Sequence, residues 1–114
     1  MTEKSIELVA KKCKSYADGG VAPMSPAEIT RMLDQLPGWT SRDGVITKTF
    51  AFSNYLQTMA FVNATAWISH REDHHPDLSV SYDKCRVDYC THAINGISEN
   101  DFICAAKLDA LLSL

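Results

Sequence analysis

Between Ser25 and Leu36 the apolar residues recur at helical spacing, with Ile29, Met32, Leu33 and Leu36 on one stripe. Ser25 opens the segment as an N-cap, Pro26 takes the first helical position, and Glu28 completes a capping box. Pro37-Gly38 stops it. The period then changes from helical to alternating. In WTSRDGVITKTFAF, Ile46, Phe50 and Phe52 share a parity that predicts one core-facing side, although Lys48 shares it too. Asp43-Gly44 predicts a two-residue hairpin turn between the two strands.

A long helix follows, capped by Ser53 and running from Asn54 to about Asp73. Tyr55, Met59, Val62 and Ala66 form one stripe; Phe61, Ala64 and Ile68 form a second. A helix apolar on two sides is buried on two sides, so one side takes the sheet and the other a partner subunit. Pro76 ends the helix by restricting His75 to extended backbone. LSVSY (78–82) and CRVDYCTH (85–92) then alternate as strands. Cys85, Val87 and Tyr89 take one face, and Arg86, Asp88, Cys90 and His92 the other. Ser98 and Asp101 make a second capping box, and Phe102, Ile103, Ala106 and Leu108 carry the last helix.

The order α-β-β-α-β-β-α gives an α+β fold: a four-stranded antiparallel sheet with three helices packed on one face. The other sheet face is left to solvent, a ligand or a second subunit. Residues 25–114 form the single domain. Residues 1–24 mix charged and small residues, end in DGGVAP, and read as a mobile arm or loosely docked segment.

The chain has 114 residues and a net charge of −3. That length supports one modest core. The absence of a basic run argues against nucleic acid as a partner. No apolar stretch approaches a membrane span. The N-terminus lacks the long apolar region of a signal peptide, so the expected compartment is cytoplasmic. Cys13, Cys85, Cys90 and Cys104 show neither C-x-x-C nor zinc-finger spacing and are expected as free thiols.

The candidate chemistry sits in HREDHHPDL, His70 to Leu78, with His92 further on. A metal reading starts from His70 and His74 at i and i+4, but the segment is not H-E-x-x-H. A bland reading makes it a hydrated helix end. An acid–base reading uses imidazole, which gains and loses a proton near neutrality. In that reading His74, at a helix C-terminus among carboxylates, is a general acid and His92 its partner base. No glycine-rich phosphate loop exists for a nucleotide cofactor.

The residues His70, His74-His75-Pro76, Tyr82, His92 and Asp101 stand in the order and spacing of a family pattern. Together with LPGW, RDGVITKTFAF and ISENDFICAAKLD, they resemble the pterin-4a-carbinolamine dehydratase family from Ser25 to the C-terminus. The resemblance implies the same α+β fold and a homodimer or homotetramer, with the long helix and a sheet edge as the expected contacts. It implies dehydration of a 4a-hydroxytetrahydropterin to quinonoid dihydropterin, in tetrahydrobiopterin recycling, with no metal and no organic cofactor. Carried over by position, His74, His75 and His92 are the active-site histidines. His75 orients the pterin, while Asp73, Cys90, Thr91 and Ala93 contact it. Asp101 belongs to the pattern but reads as a structural cap. Many members have an acidic residue in place of His70; Glu72 and Asp73 are the nearest carboxylates here. Two other function classes remain open: a non-enzymatic partner-binding or dimerisation cofactor, and a His-rich metal-binding module.

Overall fold

The computed structural model describes residues 3–16 and 21–112. Its elements are α1 (Glu3–Ala10), α2 (Pro26–Leu33), β1 (Thr40–Arg42), β2 (Val45–Ala51), α3 (Tyr55–Glu72), β3 (Asp77–Val80), β4 (Lys84–Tyr89), a 3-10 turn (His92–Ile94) and α4 (Glu99–Leu111). The strands form one antiparallel sheet in the order β1-β2-β4-β3. The architecture is the expected α+β one, with an added helix, α1. Leu8 of α1 is buried, and the Lys107 ammonium on α4 donates to the Val9 carbonyl at 2.6 Å. The residues around α1 are too charged to announce a helix by periodicity. Gly19 and Gly20, part of the expected arm, lie outside the described residues.

The Asp43-Gly44 turn has both residues at positive φ, 51° and 82°, which is what a tight hairpin requires. It sets β1 on β2. Across the centre, Ile46 stands opposite Tyr89 and Phe50 opposite Cys85, all buried under the helices. Lys48 does share that face. Its ammonium reaches the sheet margin, where it pairs with Asp109 of α4 at 2.8 Å. The Trp39 indole N–H donates to the same carboxylate at 3.0 Å while its ring packs edge-on against Phe50. Trp39 is therefore a core residue, packed on the sheet by its ring and tied to α4 by its indole N–H.

Helix α4 is the centre of the core: every residue from Asn100 to Ala106 is buried, as is Leu108. Both sequence-read capping boxes are present, Ser25 with Glu28 and Ser98 with Asp101. On α3 the N-cap is Asn54 rather than Ser53: the Asn54 side-chain oxygen accepts from the Gln57 N–H at 2.9 Å. The inner face of α3 carries Thr58, Phe61, Thr65 and Ile68. The buried threonine hydroxyls are satisfied on main-chain carbonyls: Thr58 on Asn54 and Tyr82, Thr65 on Val62. Of the two stripes read from the sequence, the Phe61–Ile68 one faces the core. The Tyr55 stripe faces out, with Met59 and Val62 half-covered.

The strands are shorter than their alternation suggested. β3 ends at Val80, and Tyr82 is exposed in the connection instead of packed in the sheet. β4 ends at Tyr89, so Cys90 and His92 are not strand residues. Among the described residues no helix is long and apolar enough to cross a membrane.

Candidate functional site

Helix α3 stops at Glu72, and Asp73 turns the chain with a left-handed backbone, φ 51° and ψ 42°. Aspartate tolerates this region better than most residues. The His74 N–H then reaches back to the Ser69 carbonyl at 3.1 Å, closing the helix end in the manner of a Schellman turn. His74 consequently lies off the helix. The expected pairing of His70 and His74 on one helical face does not form, and His70 is exposed. Glu72 turns inward, with its side chain 6% exposed, and accepts from the Cys13 N–H at 2.9 Å. It does not serve as a carboxylate partner of His74.

That partner is Asp101. Nε2 of His74 lies 2.6 Å from Oδ1 of Asp101, whose side chain is wholly buried. The other oxygen, Oδ2, accepts from the Ser98 N–H and from the Thr91 hydroxyl, both at 2.9 Å. Asp101 is thus at once the third residue of a helix cap and the anchor of an imidazole. A carboxylate accepts, so it fixes the proton of neutral His74 on Nε2 and leaves Nδ1 as the nitrogen that can exchange one. The imidazole stacks on Tyr89, with ring centroids 5.8 Å apart and planes 9° apart. Burial pushes the Tyr89 phenol far up, and the neighbouring Cys104, Cys13 and Asp101 push the same way, so its ring acts as a neutral backing plate.

The facing wall comes from the loop after β4. Thr91 and Gly96 bridge the base of this loop, with the Thr91 N–H donating to the Gly96 carbonyl at 2.8 Å. Gly96 passes so close to Pro23 that an added Cβ would lie 2.6 Å from its side chain. Within the loop, the 3-10 turn carries His92 outward. The His92 and His75 rings are 6.4 Å apart between centroids. Thr91 is buried, with its hydroxyl on Asp101 and Ser98 and its main-chain groups used within the loop. It holds the wall. Cys90 lies within 3.9 Å of both His92 nitrogens. Burial, then Asp101, Asp77 and Asp88, raises the Cys90 thiol, which keeps it protonated and a poor nucleophile.

Between these walls is a cavity of about 310 Å³, within the range of small-molecule sites. His74, His75 and His92 all line it, as do Asp73, Cys90, Thr91 and Ala93. The structure therefore brings these seven sequence-named residues to one pocket, while His70 lies outside it. Sequence reasoning missed the depth of Asp101's involvement, because a serine with an aspartate three residues on is a sufficient local reason for that residue. Its place in the family pattern was the one signal of a second role. It also missed Cys13 to Tyr16 and Asn100, which complete the lining. Among the described residues no three His, Cys, Asp or Glu side chains are grouped to hold a metal ion.

Comparisons with known proteins point to one family. A family model described as pterin 4 alpha carbinolamine dehydratase matches residues 22–111. A Nitrosospira multiformis protein is 58% identical over 95% of this chain and 95% of its own length. A Nitrosomonas europaea protein is 60% identical over 92% and 93%. Both carry the name pterin-4-alpha-carbinolamine dehydratase as an inferred one. A solved structure described as a transcriptional coactivator/pterin dehydratase from Brucella melitensis is 30% identical, with a TM-score of 0.75 over 78% of this chain and 97% of that one. A pterin dehydratase-like protein identified as a RuBisCO assembly factor in the alpha-carboxysome is 27% identical, with a TM-score of 0.54 over 64% and 84%.

Proposed function

The chain belongs to the pterin 4 alpha carbinolamine dehydratase family, and on that premise we propose that it is a hydro-lyase dehydrating a 4a-hydroxytetrahydropterin to the quinonoid dihydropterin by histidine acid–base catalysis. The observation that carries this reading is one histidine locked on a buried carboxylate, at 2.6 Å, inside a pocket that also holds two exposed histidines. In the reaction the bond from C4a to the hydroxyl oxygen breaks. The oxygen takes a proton from an acid and leaves as water. A ring nitrogen gives its proton to a base, and its electron pair forms the new double bond. His74 is the acid, with Asp101 balancing the charge of its protonated form. His92 is the base on the opposite wall, and His75 positions the ring. Asp73, Cys90 and Ala93 border the polar edge of the pterin, with Thr91 holding the loop. The recycling of an oxidised tetrahydrobiopterin is the setting in which such a substrate arises.

The test is dehydration of chemically generated 4a-hydroxytetrahydropterin, followed by ultraviolet absorbance with metal-free protein. Acceleration by wild type, lost by at least about tenfold in His92→Ala, is the expected result. A folded wild type that leaves the uncatalysed rate unchanged would sink the enzymatic reading. Partner binding alone would then explain the fold.

Association between copies has its own support. The outer face of α3 exposes Leu56 at 79%, Trp67 at 65% and Tyr55 at 53%. A row of large apolar side chains along one helix is a protein-contact surface. The edge strand β3 adds Val80, which is also exposed. We read the protein as a homodimer or homotetramer through these two features. Sedimentation equilibrium should give a multiple of the 12.6 kDa chain mass, and Leu56→Glu with Trp67→Glu should lower the order of assembly. A wild-type monomer at micromolar concentration would refute this.

A further inference from the structure

The pocket has a wall that lies outside the residues matched by the family model. The match begins at residue 22, yet Cys13, Lys14, Ser15 and Tyr16 line the same cavity as the three histidines. Their placement is built into the core. Both ends of the buried Asn100 amide are spent on Lys14: Oδ1 accepts from its N–H at 2.9 Å, and Nδ2 donates to its carbonyl at 2.7 Å. The Glu72 carboxylate holds the Cys13 N–H, and its second oxygen lies 3.9 Å from the Lys107 ammonium. The Cys13 thiol sits 3.5 Å from the Cys104 sulfur. A buried amide or carboxylate left without partners is costly. Asn100 and Glu72 therefore make sense as buried polar residues because the 13–14 backbone satisfies them. The fold has committed two interior polar side chains to fixing the backbone of Cys13 and Lys14, which leads into Ser15 and Tyr16 beside the pocket.

We propose that Cys13–Tyr16 is a substrate-contacting wall of this pocket, in which the ring of Tyr16 binds the flat bicyclic pterin. Tyr16 is half-buried and is the aromatic side chain among the pocket-lining residues other than the histidines. An aromatic ring brings a large contact area with few rotatable bonds. A conjugated, planar heterocycle is the ligand class such a surface suits. The contribution assigned to Tyr16 is to binding. The inference rests on the pterin reading of the site.

Two measurements test it. In steady-state kinetics, Tyr16→Ala should raise KM about three- to tenfold with kcat within about twofold, and Tyr16→Phe should stay near wild type. Unchanged KM in a folded Tyr16→Ala protein, or an equal loss in Tyr16→Phe, overturns the assignment to the ring. The second measurement needs no turnover. N-ethylmaleimide labelling is followed cysteine by cysteine by mass spectrometry, with and without saturating 7,8-dihydrobiopterin. Cys13 and Cys90 lie on different walls, and buried Cys85 and Cys104 report on unfolding. Protection of Cys13 together with Cys90 is expected. Protection of Cys90 alone would mean that the pterin sits clear of the arm, which refutes this wall while leaving the dehydratase intact. Protection of neither, with no dehydration by wild type, would remove the pterin reading itself.

Discussion

His74→Ala lowers kcat for carbinolamine dehydration by about 10²–10⁴-fold, the span that a positioned general acid or base contributes. KM moves far less, because His75, His92 and the loop at Cys90–Ala93 still form the pocket. The substitution also strands Oδ1 of Asp101, which is fully buried. A buried acceptor left unpaired costs about 1–3 kcal/mol, so a lower melting temperature accompanies the loss and must be separated from it. Imidazole in the buffer makes the separation. The deleted ring leaves a space of its own shape beside Asp101, and free imidazole entering it should restore part of kcat. A purely structural His74 would show no such rescue. A His74→Ala enzyme that is folded and retains more than about half of wild-type kcat would rule out its acid role and turn attention to His92 and His75.

Most of the fold could be read from the chain, and the residues show why. Ser25-Pro26 and Ser98 mark helix starts by local hydrogen bonding, which any tertiary setting preserves. Asp43-Gly44 marks its turn by backbone conformation alone. The failures are places where distant contacts decide. Lys48 interrupts the apolar parity of β2, and Asp109, sixty-one residues away, accepts its charge at the margin. Tyr82 and His92 continued a two-residue alternation that the strands themselves abandon at Val80 and Tyr89. Helix α1 is too short and too charged to declare itself, and it is held by α4 at the far end of the sequence. The site follows the same rule. Histidine identity and spacing pointed to the pocket. The partner of His74, and the arm that closes one side, became visible only when the chain folded back on α4.

Asp101→Asn should cost catalysis heavily and stability little, which separates the two duties of this residue. The amide keeps the shape of the carboxylate. Its oxygen can still accept from Ser98 N–H and the Thr91 hydroxyl, so the cap of α4 survives. The group then turned toward His74 is an NH₂, a donor where an acceptor stood. Nε2 of His74 must accept, the ring proton moves to Nδ1, and the compensating negative charge is gone. The ring can no longer cycle through its cation beside a counter-charge, so kcat falls by about 10²–10⁴-fold while the melting temperature stays within a few degrees. Asp101→Ala behaves differently: it removes the reciprocal half of the capping box and strands the Ser98 N–H and the Thr91 hydroxyl, for a loss of about 1–3 kcal/mol. Nitrogen-15 chemical shifts of His74 should report the tautomer directly, with the proton on Nε2 in wild type and on Nδ1 in the asparagine variant. Full activity in Asp101→Asn would show that the carboxylate serves the helix cap alone, and that His74 works without its charge.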